Sequence, residues 1–159
     1  MDLLVFKNKK MKQSIVHNLV WSPIFLISLI AIVLGVLCFF HPEPWLLNKI
    51  PNEELLQTSF KVLFSLEANK FLPSYLKVIY KFFAFWLLTV GLLIFSYVRV
   101  TRLGTFHSRV MLYPILIIAL LSLFYLVFNF LPQSPFIPLL YGIIILLGSS
   151  IYFSTQLKQ

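Results

Sequence analysis

Two stretches near the C-terminus constrain this chain more than anything else in it. Met111 to Leu131 and Phe136 to Phe153 contain no charged residue, and only Pro132, Gln133, Ser134 and Pro135 stand between them. At ~1.5 Å of rise per residue, each run is about long enough to cross a ~30 Å hydrocarbon core as a helix. The whole chain is 60% hydrophobic and 11% charged, against about 25% charged for an average soluble domain. The excess lies in blocks, as it must when lipid is the solvent.

Two further blocks complete the set. Trp21 to Phe40 reads as the first span, with Pro23 expected in its first turn, where a missing N–H is harmless. Phe82 to Val98 reads as the second, with Lys77 and Lys81 one turn apart just before it and expected to snorkel into headgroups. The third runs from about Val110 to Leu131, with Pro114 in its first turns, and the fourth from Phe136 to Phe153. The expected fold class is an all-α membrane protein: one integral domain over residues 1–159, a four transmembrane helix bundle. The rival is three spans, with Phe82–Val98, the weakest run, failing to cross. A basic start followed by an apolar run also describes a signal peptide, but the run exceeds an h-region of ~7–15 residues, and Phe39-Phe40-His41-Pro42 offers no small-residue cleavage site.

Residues 41–81 form the only sizeable polar segment between spans. Pro42, Pro44 and Pro51 oppose early helix continuation. Asn52 is a good N-cap and Glu53 and Glu54 place negative charge on the turn that follows. Leu56, Phe60, Leu63 and Phe64 then recur at helical spacing. The pattern predicts one amphipathic interfacial helix from Asn52 to Asn69, lying on the membrane with Glu54, Lys61 and Glu67 toward water, and ended by Pro73.

The net charge of +8 would raise nucleic acid as a partner in a soluble chain. Beside four apolar spans it reads as sidedness, because Lys and Arg mark the cytoplasmic flanks of membrane helices. The anchors are Lys9, Lys10 and Lys12 in the N-terminal tail and Arg99, Arg102 and Arg109 around the loop between spans two and three. The two tails and that loop carry eight Lys and Arg, and the first loop and last hairpin carry five. Both termini are thus expected in the cytoplasm, in a multi-pass protein of a bacterial inner (cytoplasmic) membrane, with the amphipathic loop outside and no nucleic-acid partner.

An ion or proton path needs ionisable residues at membrane depth, and the four spans have none in their interiors. Ser28, Thr89, Ser96, Ser122, Ser149 and Ser150 are expected to hydrogen-bond between helices or back onto their own. One cysteine, Cys38, rules out an intrachain disulfide and CxxC chemistry. His17 and His107 alone make an incomplete metal site, so no metal, no cofactor and no catalytic residue is assigned. The candidate outer polar cluster is His41, Glu43, Glu53 and Glu54, the best available place for acid–base work. For close helix approach the candidates are Ala31 and Gly35, four apart in the first span, Gly91 in the second, and Gly148 in the fourth.

The layout resembles the small four-span proteins of the DoxX-like group. The resemblance rests on Leu34-Gly35-Val36-Leu37 followed by Pro42 and Trp45-Leu46-Leu47, and on Leu92 to Val98 followed by Arg99 and Arg102. It covers the chain in outline, and the lysine such proteins often carry late in span one is absent here, where His41 stands nearby. It implies a small membrane protein, of a kind sometimes associated with respiratory or redox complexes, lacking a catalytic centre of its own. The expected function is therefore a non-enzymatic accessory or assembly subunit of a larger membrane complex, in contact with membrane lipids and other membrane-protein subunits. The alternative is a membrane enzyme or binder acting on a lipid or quinone at the outer mouth.

Overall fold

The computed structural model describes the backbone of residues 2–157 and the side chains of residues 13–157. Among these residues all regular structure is helical. The elements are α1 (Asp2–Phe40), α2 (Lys49–Leu56), α3 (Phe60–Ser65), α4 (Leu72–Thr101), α5 (Phe106–Phe130) and α6 (Ile137–Ser154), with 3-10 turns at Pro44–Asn48 and Glu67–Asn69. Four helices, within α1, around α4, and along α5 and α6, are long and apolar enough to cross a membrane.

Two of these helices, α1 and α4, reach well past the expected spans, and α5 begins at Phe106 rather than near Val110. α1 is 39 residues long and takes in the basic tail, so Lys9, Lys10 and Lys12 lie within it, their side chains outside the described residues. Pro23 is accordingly an interior residue of α1, not one of its first turn. It is buried, and the carbonyl four residues earlier loses its helical partner. Pro114 is likewise interior to α5. Interior prolines are tolerated in such helices where neighbouring elements and local adjustment re-satisfy the backbone. α4 starts at Leu72 with Pro73 in its first turn, so Pro73 begins a helix and does not end the loop helix, which has already stopped at Ser65, and Lys77 and Lys81 are inside α4. Lys81 Nζ lies 5.3 Å from the Phe39 ring centroid, across from α4 to α1.

α1 is the central helix. It packs along α4 most extensively and along α6 next, whereas α5 leans mainly on α6 and barely touches α4 outside their shared turn. Small residues explain the intimacy of α1 and α4. A Cβ placed on Gly35 would fall 2.7 Å from the Leu88 backbone nitrogen. One on Gly91 would fall 2.9 Å from the Ile32 nitrogen and 3.1 Å from the Ala31 Cβ. Ala31, Gly35 and Gly91 therefore form a single seam in which two backbones nearly touch. Gly148 does not share this role: a Cβ there would meet nothing within 4 Å.

The long helices alternate in direction. At one end, here the basic end, the start of the apolar part of α1 meets the ends of α4 and α6 and the start of α5. The buried core sits there: Val20, Ile24, Val98, Leu103, Leu112, Tyr113 and Leu147. A polar knot joins three helices inside it. Tyr113 of α5 pairs with Ser150 Oγ of α6 at 2.9 Å, and the Ser150 hydroxyl donates to the Val20 carbonyl of α1. Ser28, Thr89 and Ser149 bond back to Phe25, Phe85 and Leu146 of their own helices, whereas Ser150 ties helices together, as does Tyr97 of α4, whose hydroxyl donates to the Ser108 carbonyl of α5 at 2.9 Å.

The opposite, loop end is closed by residues 41–71. In place of one helix from Asn52 to Asn69 there are two short ones. α2 starts at Lys49 and includes Pro51, which is harmless where the first N–H groups have no intrahelical partner. It stops at Gln57, in the left-handed region with φ 52°. α3 then restarts behind Ser59, whose hydroxyl accepts from the Val62 N–H. Ser59 supplies a competing side-chain bond of the kind that makes a mid-helix break cheap. Asn52 is not an N-cap; its Nδ2 donates to the Trp45 carbonyl and to Tyr80 Oη at 3.2 and 3.0 Å, tying α2 to α4. Phe60 is buried and stacks on Phe64, which meets buried Trp45 edge-on at 5.8 Å, while Leu56 stays exposed.

The glycine seam yields a paired expectation. Gly35→Ala should lower stability in detergent by about 1–3 kcal/mol, the usual cost of overpacking. Gly148→Ala, in open space, should leave the melting temperature unchanged or raise it, since glycine within a helix costs ~0.5–1 kcal/mol. Thermal unfolding of both variants decides; equal responses would remove the seam from the account.

Candidate functional site, an apolar cleft with one polar end

The sequence-level polar cluster does not assemble. His41 Nδ1 accepts the backbone N–H of Glu43 at 3.1 Å, a local turn contact. Glu53 Oε1 accepts the Phe60 N–H at 2.9 Å and so helps start α3. Glu43 and Glu54 are exposed. No side-chain hydrogen bond or ion pair links the four among the described residues, and none lines the principal cavities.

The basic residues are also placed unequally. Arg99 and Arg102 are exposed, and Arg102 lies 6.0 Å from the Trp21 ring centroid. Arg109 is only 6% exposed. Among the described residues no three of His, Cys, Asp and Glu come together as a metal site would need.

What the fold does build is a cleft in the loop half. Because α5 leans away from α4, an opening of about 350 Å³ remains between them, within the ~300–1,000 Å³ of typical ligand sites. Its floor is one face of α1: Ile27, Ile30, Ala31, Leu34 and Cys38. These positions follow helical spacing, so the floor is a stripe roughly 16 Å long at the α-helical rise. Leu87 of α4, Leu123 and Val127 of α5, and Leu139, Leu140 and Ile143 of α6 form the sides. The cleft is thus elongated, and no charged side chain lines it.

Its polar groups are gathered at the loop end. Ser134, 5% exposed, donates its hydroxyl to Asn48 Oδ1 at 2.9 Å and accepts the Phe136 N–H at 3.3 Å. That bond joins the turn before α6 to the segment before α2, across 86 residues of sequence. Asn48 thereby spends its carbonyl oxygen, and its Nδ2 has no hydrogen-bond partner among the described residues. The half-buried Cys38 thiol stands near the same end. With the Ser134 proton spent on Asn48, the Asn48 amide N–H and the Cys38 thiol at one end of an apolar slot can hold a neutral head that accepts hydrogen bonds; an ionised head has no counter-charge there.

Neither Asn48, Ser134 nor the cleft face of α1 stood out in the sequence. The one available signal was the i, i+3, i+4, i+7 stripe of α1, which reads equally well as a packed face. Comparison with models of protein families, with curated proteins and with solved structures finds no match to this chain.

Cys38 reports on the cleft directly. An uncharged, membrane-permeant maleimide should modify it in intact membranes, while a charged, impermeant one should fail from either side. Val127→Trp, which fills the slot, should slow the permeant reagent severalfold. Rapid modification by the charged reagent would mean that the cleft is a water-filled vestibule.

Proposed function

We propose that this chain is a non-catalytic four-span membrane protein whose cleft between α1, α5 and α6 holds one long apolar chain carrying a neutral, hydrogen-bond-accepting head, as in a quinone or a neutral lipid. The observation that carries this is the shape and chemistry of the cleft: elongated, uncharged, apolar along its sides, with Asn48, Ser134 and Cys38 at one end. The four long helices then form a transmembrane bundle. Residues 41–71 lie at the outer surface as an interfacial cap, with the apolar faces of α2 and α3 toward the membrane and Glu54, Lys61 and Glu67, all exposed, toward water. Arg99 and Arg102 at the basic end support a cytoplasmic location for both termini under the positive-inside rule, in an inner membrane of the bacterial type.

A second reading, an accessory subunit of a larger membrane complex in the manner of the DoxX-like group, is favoured by α5. That helix leans on the rest of the chain mainly through α6, and it exposes Met111, Ile115, Ile118 and Leu121 along one side. A helix so lightly held has lateral surface for another subunit, or for lipid alone. The two readings are compatible, since a ligand-holding subunit can sit within a complex.

Lipid extraction from protein purified in mild detergent tests the first reading. The wild type should carry about one neutral isoprenoid or lipid per chain. Ile143→Trp or Val127→Trp should lose it while keeping the melting temperature. A wild-type protein with no neutral ligand would refute it. A cysteine at Gln159 that is labelled from outside intact cells would overturn the orientation. For the second reading, a stoichiometric partner should co-purify under the same conditions, and a lone monomer in several mild detergents would count against it.

A further inference from the structure

Arg109 was expected to be a topology anchor beside the loop, and its burial needs an explanation. It lies in the first turn of α5, behind the N-cap Thr105. One guanidinium nitrogen, Nη1, donates to the carbonyls of Leu103 and Gly104 at 3.0 and 3.4 Å. These carbonyls follow the end of α4, where Arg102 and Leu103 both take left-handed backbone at φ 45° and 50°. The arginine therefore fastens a strained turn. Carbonyl oxygens are partial charges, however, and a buried cation ordinarily has an anion beside it. No carboxylate pairs with it among the described residues, and the four glutamates belong to the segment that closes the opposite end.

Arg109 is among the residues that line a second cavity, of about 450 Å³. Phe106, Val110, Pro114 and Leu157 make its apolar walls; Tyr113, Ser154 and Thr155 also line it, with the Tyr113 and Thr155 protons already given to Ser150 and to the Tyr152 carbonyl. The cavity also lies at the N-terminal turn of α5, a 25-residue helix whose free N–H groups and dipole favour negative charge. A forked cation beside a helix N-terminus at one opening matches a tetrahedral phosphate. The apolar walls beside it suit the start of an acyl chain.

We propose that this cavity binds the phosphodiester of an anionic phospholipid from the leaflet at the basic end, with Arg109 as its counter-charge. The site is separate from the neutral cleft in the other half of the molecule, and it stands whether or not that cleft holds a ligand. Phosphate chemistry could equally come from a free anion, so the test compares sources. The full chain in nonionic detergent is titrated with phosphatidylglycerol, with phosphatidylcholine and with inorganic phosphate, and its melting temperature is followed.

Preferential binding to the folded state should raise the melting temperature by several degrees with phosphatidylglycerol and little with the other two. Arg109→Gln should lose this response, but it also removes the bonds to Leu103 and Gly104 and is expected to start from a lower melting temperature. Thr155→Trp occupies the cavity and leaves those bonds in place. It should keep the basal melting temperature and lose the phosphatidylglycerol response. Arg102→Gln, an exposed charge at the same end, should keep the response and so exclude a diffuse attraction. Equal stabilisation by phosphatidylcholine, an undiminished response in Thr155→Trp, or loss of response in Arg102→Gln would overturn the proposal. A response to inorganic phosphate matching that to phosphatidylglycerol would overturn the lipid as its source.

Discussion

The close crossing of α1 and α4 is the contact on which the rest of the structure depends. In lipid there is little hydrophobic gain from pressing one apolar helix on another, so association rests on van der Waals fit and on the few polar groups available. Gly35 and Gly91 provide that fit by letting backbone approach backbone, with Ala31 in the same seam. With α1 committed to α4 on one side and to α6 on another, α5 is left to lean on α6. The cleft follows from this arrangement: it is the space left where α5 cannot also reach α4.

The two halves of the molecule solve different problems. The basic half has the dense core and the Tyr113–Ser150–Val20 knot, in which every member is hydrogen-bonded. A satisfied polar knot in an apolar surrounding fixes the relative positions of three helices more sharply than side-chain packing alone. The loop half has no comparable core. It is held by the glycine seam, by Asn52 reaching Tyr80, and by Ser134 reaching Asn48. Open space appears in the half where long-range polar ties are single bonds at the rim rather than a knot in the middle.

Much of the helical architecture was legible in the sequence because it depends on the solvent. Uncharged runs such as Met111–Leu131 require helices in lipid whatever their neighbours, since every backbone group must be satisfied within the segment. The seam was half legible: Ala31, Gly35 and Gly91 mark themselves as small, but so does Gly148, and nothing along the chain says that two of these glycines face a partner backbone while the other faces open space. The candidate cluster His41, Glu43, Glu53 and Glu54 was read from nearness in sequence. The local backbone bonds taken by His41 and Glu53 could not be read that way.

The sequence by itself therefore determined which segments are helical and apolar, how they alternate, and where the positive charge collects. Those properties follow from side-chain transfer energies and local backbone bonding, and both are written along the chain. Only the tertiary structure decided that the loop helix breaks at Gln57, that Asn52 ties α2 to α4, that Arg109 is buried beneath a strained turn, and that Asn48 meets Ser134 at the end of an apolar slot. The physical reason is that apolar helices are nearly interchangeable to lipid. Which faces touch is settled by differences in shape of an ångström or less, and by single hydrogen bonds between residues far apart in sequence, and neither exists until the helices are brought together.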